Sequence, residues 1–205
     1  MTAMTAQPTV TVTTWYLEQT SPDALRPSPA PPASVGLTVS RAEAAYPAFN
    51  RFLYTAVGGD WTWTDRLPWT HRQWEQYLNR DGMETWVAWV RSTPAGYLEL
   101  SPTGPGEVEI AYFGLVPAFH GQRIGGHLLS LGLARAWDLA DRWPALSPTR
   151  RIWVHTCDQD GPAALPNYES RGMTRYDTRT TQEPLTHPPG PWPHAYRDHP
   201  GSTPH

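Results

Sequence analysis

Residues 107–133 read EVEIAYFGLVPAFHGQRIGGHLLSLGL, and they organise the rest of the chain. Val108 to Val116 is an apolar run suited to a strand, and Pro117 ends it. A polar, glycine-bearing loop follows, His120 to Gly126. From there Leu128, Leu129, Gly132, Leu133, Ala136, Trp137 and Ala140 fall on one face of a helix. A strand that feeds a glycine loop at a helix N-terminus makes an anion site, because free backbone N–H groups and the positive end of the helix dipole converge there. Two common phosphate loops are excluded. The chain has no lysine, so GxxxxGK[ST] is absent, and the loop is not GxGxxG.

Composition narrows the class. The 205 residues suit one domain, and 39% hydrophobic against 17% charged residues describes a globular chain. All 16 basic residues are arginine, the net charge is −3, and no basic stripe appears, which argues against a nucleic-acid partner. The single cysteine, Cys157, excludes an internal disulfide and a cysteine-based zinc site. No apolar run reaches the roughly 18 residues of a membrane span, and no secretory signal pattern opens the chain. The expectation is therefore a cytoplasmic protein with no metal and no membrane partner.

Around the opening stretch the pattern is of the α/β (α+β) class, with a mixed, mostly antiparallel sheet flanked by helices. Three segments are expected: 1–34, a strand (Val10–Leu17) plus a proline-rich stretch; 35–182, the main domain; and 183–205, a Pro/His-rich tail taken as extended or disordered. Val35–Val39 reads as a strand. Ser40-x-x-Glu43 resembles a capping box, predicting a helix toward Val57, interrupted or restarted at Pro47. Trp61, Trp63, Asp65, Arg66 and Trp69 crowd one loop, and Thr70 caps a helix to Leu78. Strands at 84–91, 95–100 and 107–116 form an antiparallel meander. After the helix of about 123–142, the strand 151–156 runs parallel to its predecessor. A short helix over 163–171, ended by Gly172, and a strand over 173–181 follow.

One carboxylate stands out. In unbroken alternation Glu109, Ala111, Phe113 and Leu115 share a strand face. A carboxylate among apolar neighbours has its pKa raised toward the range useful to a general base. Glu107 and His155 are the reserves.

The loop itself, His120-Gly121-Gln122-Arg123-Ile124-Gly125 followed by Gly126, resembles motif A of the GNAT superfamily of acyl-CoA N-acyltransferases, whose pattern is Arg/Gln-x-x-Gly-x-Gly/Ala. His120 stands where Arg or Gln is usual and Arg123 where Gly is usual; a register beginning at Gln122 is the alternative. Ala164-Leu165-Pro166-Asn167-Tyr168-Glu169-Ser170-Arg171-Gly172-Met173 resembles that superfamily's motif B. The resemblance implies a sheet splayed at a cofactor cleft and acetyl-CoA as co-substrate. It implies contacts from Leu115, Val116 and His120 through Gly126 to that co-substrate, with the Leu115 N–H on the thioester oxygen. It also implies Glu109 as base, Tyr168 as acid, and an acceptor wall carrying Trp61, Trp63, Asp65 and Arg66. The expected activity is transfer of acetyl directly to a primary amine of a small molecule or peptide, with a homodimer possible. An inactive acyl-CoA-binding module, or an enzyme for another acyl-CoA, is the alternative. Cys157 is expected to be structural.

Overall fold

The computed structural model describes residues 8–193 and 195. β3 (Glu84–Val90), β4 (Thr93–Gly104) and β5 (Glu107–Leu115) form the expected antiparallel meander. β2 (Leu37–Arg41) pairs antiparallel with β3. The helix α3 (Ile124–Trp137) then carries the chain over one face, so β6 (Arg151–Cys157) joins β5 in parallel. β1 (Thr9–Gln19) lies antiparallel between β6 and β7 (Thr174–Pro184). The seven-stranded order is β2-β3-β4-β5-β6-β1-β7, a mixed and mostly antiparallel sheet. The first strand is thus interior to the sheet, and the division at residue 34 coincides with no break in it.

Alternation along β4 splits the core in two. Leu98 and Leu100 point to one face, where Leu128, Leu129 and Leu133 of α3 are fully buried with Tyr168 of α5 (Ala164–Ser170). Each such leucine contributes roughly 1.5–3 kcal/mol. Tyr97 points to the other face, against Leu53 and Val57 of α1 (Pro47–Gly58). Beside it, Trp74 and Leu78 of α2 (His71–Leu78) close an aromatic cluster with Tyr54.

Thr70 caps α2 as expected: its hydroxyl accepts from the Gln73 N–H while the Gln73 side chain accepts from the Thr70 N–H. Gly172 has φ +88°, the left-handed conformation expected past α5. Two expectations fail. Ser40 does not cap a helix; it pairs with Val87 inside the β2–β3 ladder, and α1 begins at Pro47. The helix after the loop breaks at Asp138, and a four-residue helix, α4 (Leu139–Arg142), follows. There Arg142 turns back to hold both Asp138 and the buried Glu84. Of the tail histidines, His194, His199 and His205 lie outside the described residues.

Candidate active site

The centre of the site is one unpaired residue. The β4–β5 ladder pairs Glu99 with Tyr112 but Leu100 with Ile110, leaving Ala111 as a bulge. On one side of it Ile110, Phe113 and Leu115 belong to the core under α3. Tyr112 belongs to the opposite, aromatic face. The expected row of Glu109, Ala111, Phe113 and Leu115 is therefore broken. Glu109 shares its face with Tyr112, away from Phe113 and Leu115. At the same point the sheet parts: the β5–β6 ladder runs from Glu107↔Arg151 to Glu109↔Trp153 and stops, although β5 continues to Leu115 and β6 to Cys157.

A cavity of about 940 Å³ occupies the parting. Phe113, Gly114 and Leu115 line one wall, Val154 and Cys157 the other, and Tyr168 lies alongside. The Val116 N–H donates to the Ala95 carbonyl at 2.9 Å, so it is spent on β4. By antiparallel alternation the Leu115 N–H faces the gap. Val116, expected beside the cofactor, is not among the lining residues of this cavity and packs on the α1 side.

The loop closes one end. Arg123 is the N-cap of α3, with φ +63° and no side-chain cap, and no acidic residue lies in the first turn. The first amides of α3 are thus unsatisfied by side chains, and Arg123, Ile124, Gly125 and Gly126 all line the cavity. Arg123 replaces the motif's glycine at a position whose backbone is left-handed, which explains why glycine is usual there. His120 and Gly121 also line the cavity; the His120 ring Nε2 lies 3.1 Å from the Leu115 carbonyl oxygen. Gln122 turns back to the Ala118 carbonyl at 3.3 Å and is not part of the lining. Gly126 serves packing as well: a Cβ there would lie 2.7 Å from Arg171 Nη1 and 2.9 Å from Ser28 Oγ, where the proline-rich segment crosses α3.

Tyr168 is buried edge-on to Phe113, ring centroids 5.9 Å apart. Burial, then the charge of Asp160, raises its pKa well above the ordinary phenol value. The Cys157 thiol is pushed up to about 11, first by burial and then by Asp160, so it is neutral at physiological pH, in keeping with a structural role.

A second cavity, about 440 Å³, adjoins the first, and Asp65, Ala111, Tyr112 and His155 line both. Glu109 opens into the smaller one. Its Oε1 lies 3.6 Å from His155 Nδ1, bringing together the expected base and one of its reserves. The carboxylate raises the His155 pKa above its usual value, outweighing burial, and Asp160 and Asp65 add to it. Glu107, the other reserve, points instead toward Arg151 at 3.5 Å.

Asp65 is exposed at the shared mouth, but its neighbour Arg66 is buried. The Arg66 guanidinium sits 4.0 Å from the Tyr77 ring centre and 4.3 Å from that of Tyr112, and binds Glu99 Oε2 at 2.6 Å. Burial opposes its charge, but Glu99 outweighs that and keeps it protonated. Arg66 therefore builds the wall rather than offering a free charge to an acceptor. Trp63 lines the large cavity and reaches Asp160 Oδ1 at 3.4 Å; Trp61 lines it too and packs on Gly161. Asp160, which sequence reasoning passed over, accepts from the Thr156 hydroxyl at 2.7 Å and the Cys157 N–H at 3.0 Å, fixing the turn after β6. Its position in Asp158-Gln159-Asp160-Gly161 was a turn signal. Glu99, a lone acid in the apolar run Tyr97–Leu100, was the signal for the buried pair.

A parted parallel pair, an uncapped helix N-terminus and a loop of this form define one fold family. The sequence model of the acetyltransferase (GNAT) family matches residues 43–173, and the chain belongs to that family. Among solved structures it is similar to a GCN5-related N-acetyltransferase from Sphaerobacter thermophilus, with TM-score 0.57, 17% identity, and coverage of 83% of this chain and 50% of that one. A GCN5-related N-acetyltransferase from Kribbella flavida gives TM-score 0.57, 16% identity, 90% and 60%. An aminoglycoside acetyltransferase from an uncultured soil metagenomic sample gives 0.52, 14%, 68% and 90%. The chain thus spans 50% and 60% of the length of the first two. No curated protein matches it.

Proposed function

We propose that the protein is an N-acetyltransferase that moves acetyl from acetyl-CoA directly to a primary amine of a small molecule or peptide. The observation that carries this reading is the open edge of β5 beyond Glu109, which runs to an uncapped helix N-terminus. The residues present fit a CoA thioester: backbone edge for an extended amide chain, free amides and Arg123 for phosphates, and open space beyond Gly121.

Bound there, the thioester supplies an acyl carbon whose C–S bond breaks as the C–N bond forms. The chain's residues do the rest. The Glu109–His155 pair takes the proton that makes the acceptor ammonium a nucleophilic amine. His155 is the member at the mouth shared by the two cavities, and Glu109 raises its basicity. The Leu115 N–H donates a hydrogen bond to the carbonyl oxygen as negative charge builds on it. Tyr168, kept protonated by burial, offers its O–H to the leaving thiolate. The larger cavity holds one reactant and the smaller the other, joined at Ala111, so the site works chiefly by holding them together.

Calorimetric titration with acetyl-CoA, CoA and desulfo-CoA tests the placement. Micromolar binding that survives loss of the sulfur is expected. A Cβ at Gly125 meets only ordinary contacts, 3.6 Å from Leu115 Cδ1, so Gly125→Glu should fold and abolish binding by placing a carboxylate against the phosphates. Unchanged binding by that variant would put the cofactor elsewhere. Thiol release from acetyl-CoA with a panel of amines then tests transfer.

A further inference from the structure

The smaller cavity is lined by groups of opposite charge, and this bears on the acceptor. Asp65 and His155 line the mouth shared with the larger cavity, and Glu109, whose Oε1 lies 3.6 Å from His155 Nδ1, lines the smaller one. Arg80 lines only the smaller one. Its Nε donates to the Tyr77 carbonyl at 3.2 Å, its Nη2 to the Ser101 hydroxyl at 2.8 Å, and its guanidinium lies 4.3 Å from the Tyr77 ring centre. With a longer contact from Nη2 to Met83 Sδ at 3.9 Å, four contacts hold the side chain in place, yet no carboxylate lies within ion-pair distance of it among the described residues. Arg66, the other cation of this cavity, is neutralised by Glu99.

Register places Arg80 relative to the base. Ser101 pairs directly with Glu109 across the β4–β5 ladder, so their side chains share a face. The arginine anchored on Ser101 is thus one strand away from the carboxylate that serves the amine. A pinned guanidinium with no carboxylate partner among the described residues, lining the same small cavity as a carboxylate–imidazole pair, is complementary to a zwitterion.

Resting on the acyltransferase reading above, we infer that the acceptor is a small amine that also carries a carboxylate, of the amino-acid type, with Arg80 binding the carboxylate and the Glu109–His155 end receiving the amine. Arg80 is then a specificity residue and takes no part in bond making.

The test uses amino acids and their own carboxamides as matched acceptors, with wild type, Arg80→Met and Arg80→Lys. Amide and acid differ in amine basicity, so the quantity read is the effect of the substitution on each, not the raw preference. Arg80→Met should raise KM for the acids about 10–100-fold, the scale of a lost charged hydrogen bond, and leave KM for the carboxamides and kcat nearly unchanged. Arg80→Lys should restore part of the loss for the acids alone. An equal loss on acids and amides would make Arg80 merely structural, and no loss on either would place the acceptor outside this cavity; both overturn the inference. Calorimetry of the acids against wild type and Arg80→Met, with desulfo-CoA present, gives an independent readout. If wild type binds acids through Arg80 but transfers nothing, the transfer reading falls and the assignment of the ligand stands. If transfer occurs to amines without dependence on Arg80, the reverse holds.

Discussion

The buried pair Arg66–Glu99 offers a direct test of whether Arg66 supports the wall or recognises an acceptor. Glu99 is fully buried and its charge is met by Arg66 at 2.6 Å, with weaker help from Tyr77 Oη at 3.2 Å and Asn50 Nδ2 at 3.5 Å. Arg66→Met removes the one charge partner Glu99 has among the described residues and leaves a buried carboxylate. Breaking a buried pair from one side costs about 3–5 kcal/mol. For a chain of this size that lowers Tm by roughly 6–20 °C. Adding Glu99→Gln removes the stranded charge; Tyr77 meets Oε2 and Asn50 meets Oε1, so the amide oxygen can accept from Asn50 while the amide NH2 donates to the Tyr77 hydroxyl. The double variant should therefore recover most of the loss, since neutral replacements of buried pairs are often tolerated. The assay is a thermal or urea double-mutant cycle, with acceptor KM measured on the double variant. Recovery of stability with an unchanged KM is expected. Additive losses with no recovery, or a KM that rises tenfold in a stable double variant, would refute the argument.

Other outcomes follow from the same geometry. Glu109→Gln should lower turnover and move the pH inflection: with the carboxylate in place His155 titrates above its usual value, so rate rises with pH through that raised value, and the variant's inflection should shift to lower pH. The sign for stability is the converse: the pair's contribution is full below the unfolded imidazole pKa and lost as pH rises through the raised one, which pH-dependent urea unfolding reads. Arg123→Gly should relax a left-handed backbone worth about 1–2 kcal/mol against the comparable entropy of glycine, leaving Tm within about 3 °C of wild type. It should weaken desulfo-CoA binding about two- to fivefold through the lost charge, measured by calorimetry. Cys157→Ser should leave kcat within about twofold, because a thiol held near 11 supplies almost no thiolate at neutral pH, as steady-state rates would report.

What the sequence disclosed and what it hid divide along one physical line. The meander, the start of the helix after the loop, the αL glycine at Gly172 and the Thr70 cap are local signals, and each appears where the residues placed it. Ser40 misled because the same short pattern suits a cap and a strand, and pairing with Val87 settled the choice from a distant part of the chain. Ala111 is the deeper case. Glu109-Ile110-Ala111-Tyr112-Phe113 reads equally well as continuous alternation or as a strand with one residue extra. The decision lies with β4, where Leu100 and Leu98 must both face α3 while Glu99 must reach Arg66. Opposite them, Ile110 and Phe113 can both enter the α3 core only if one residue between them is left out of the ladder. That residue also marks where β6 stops following β5. The demand of Ile110 and Phe113 for one core thus sets which side of the sheet Glu109 faces.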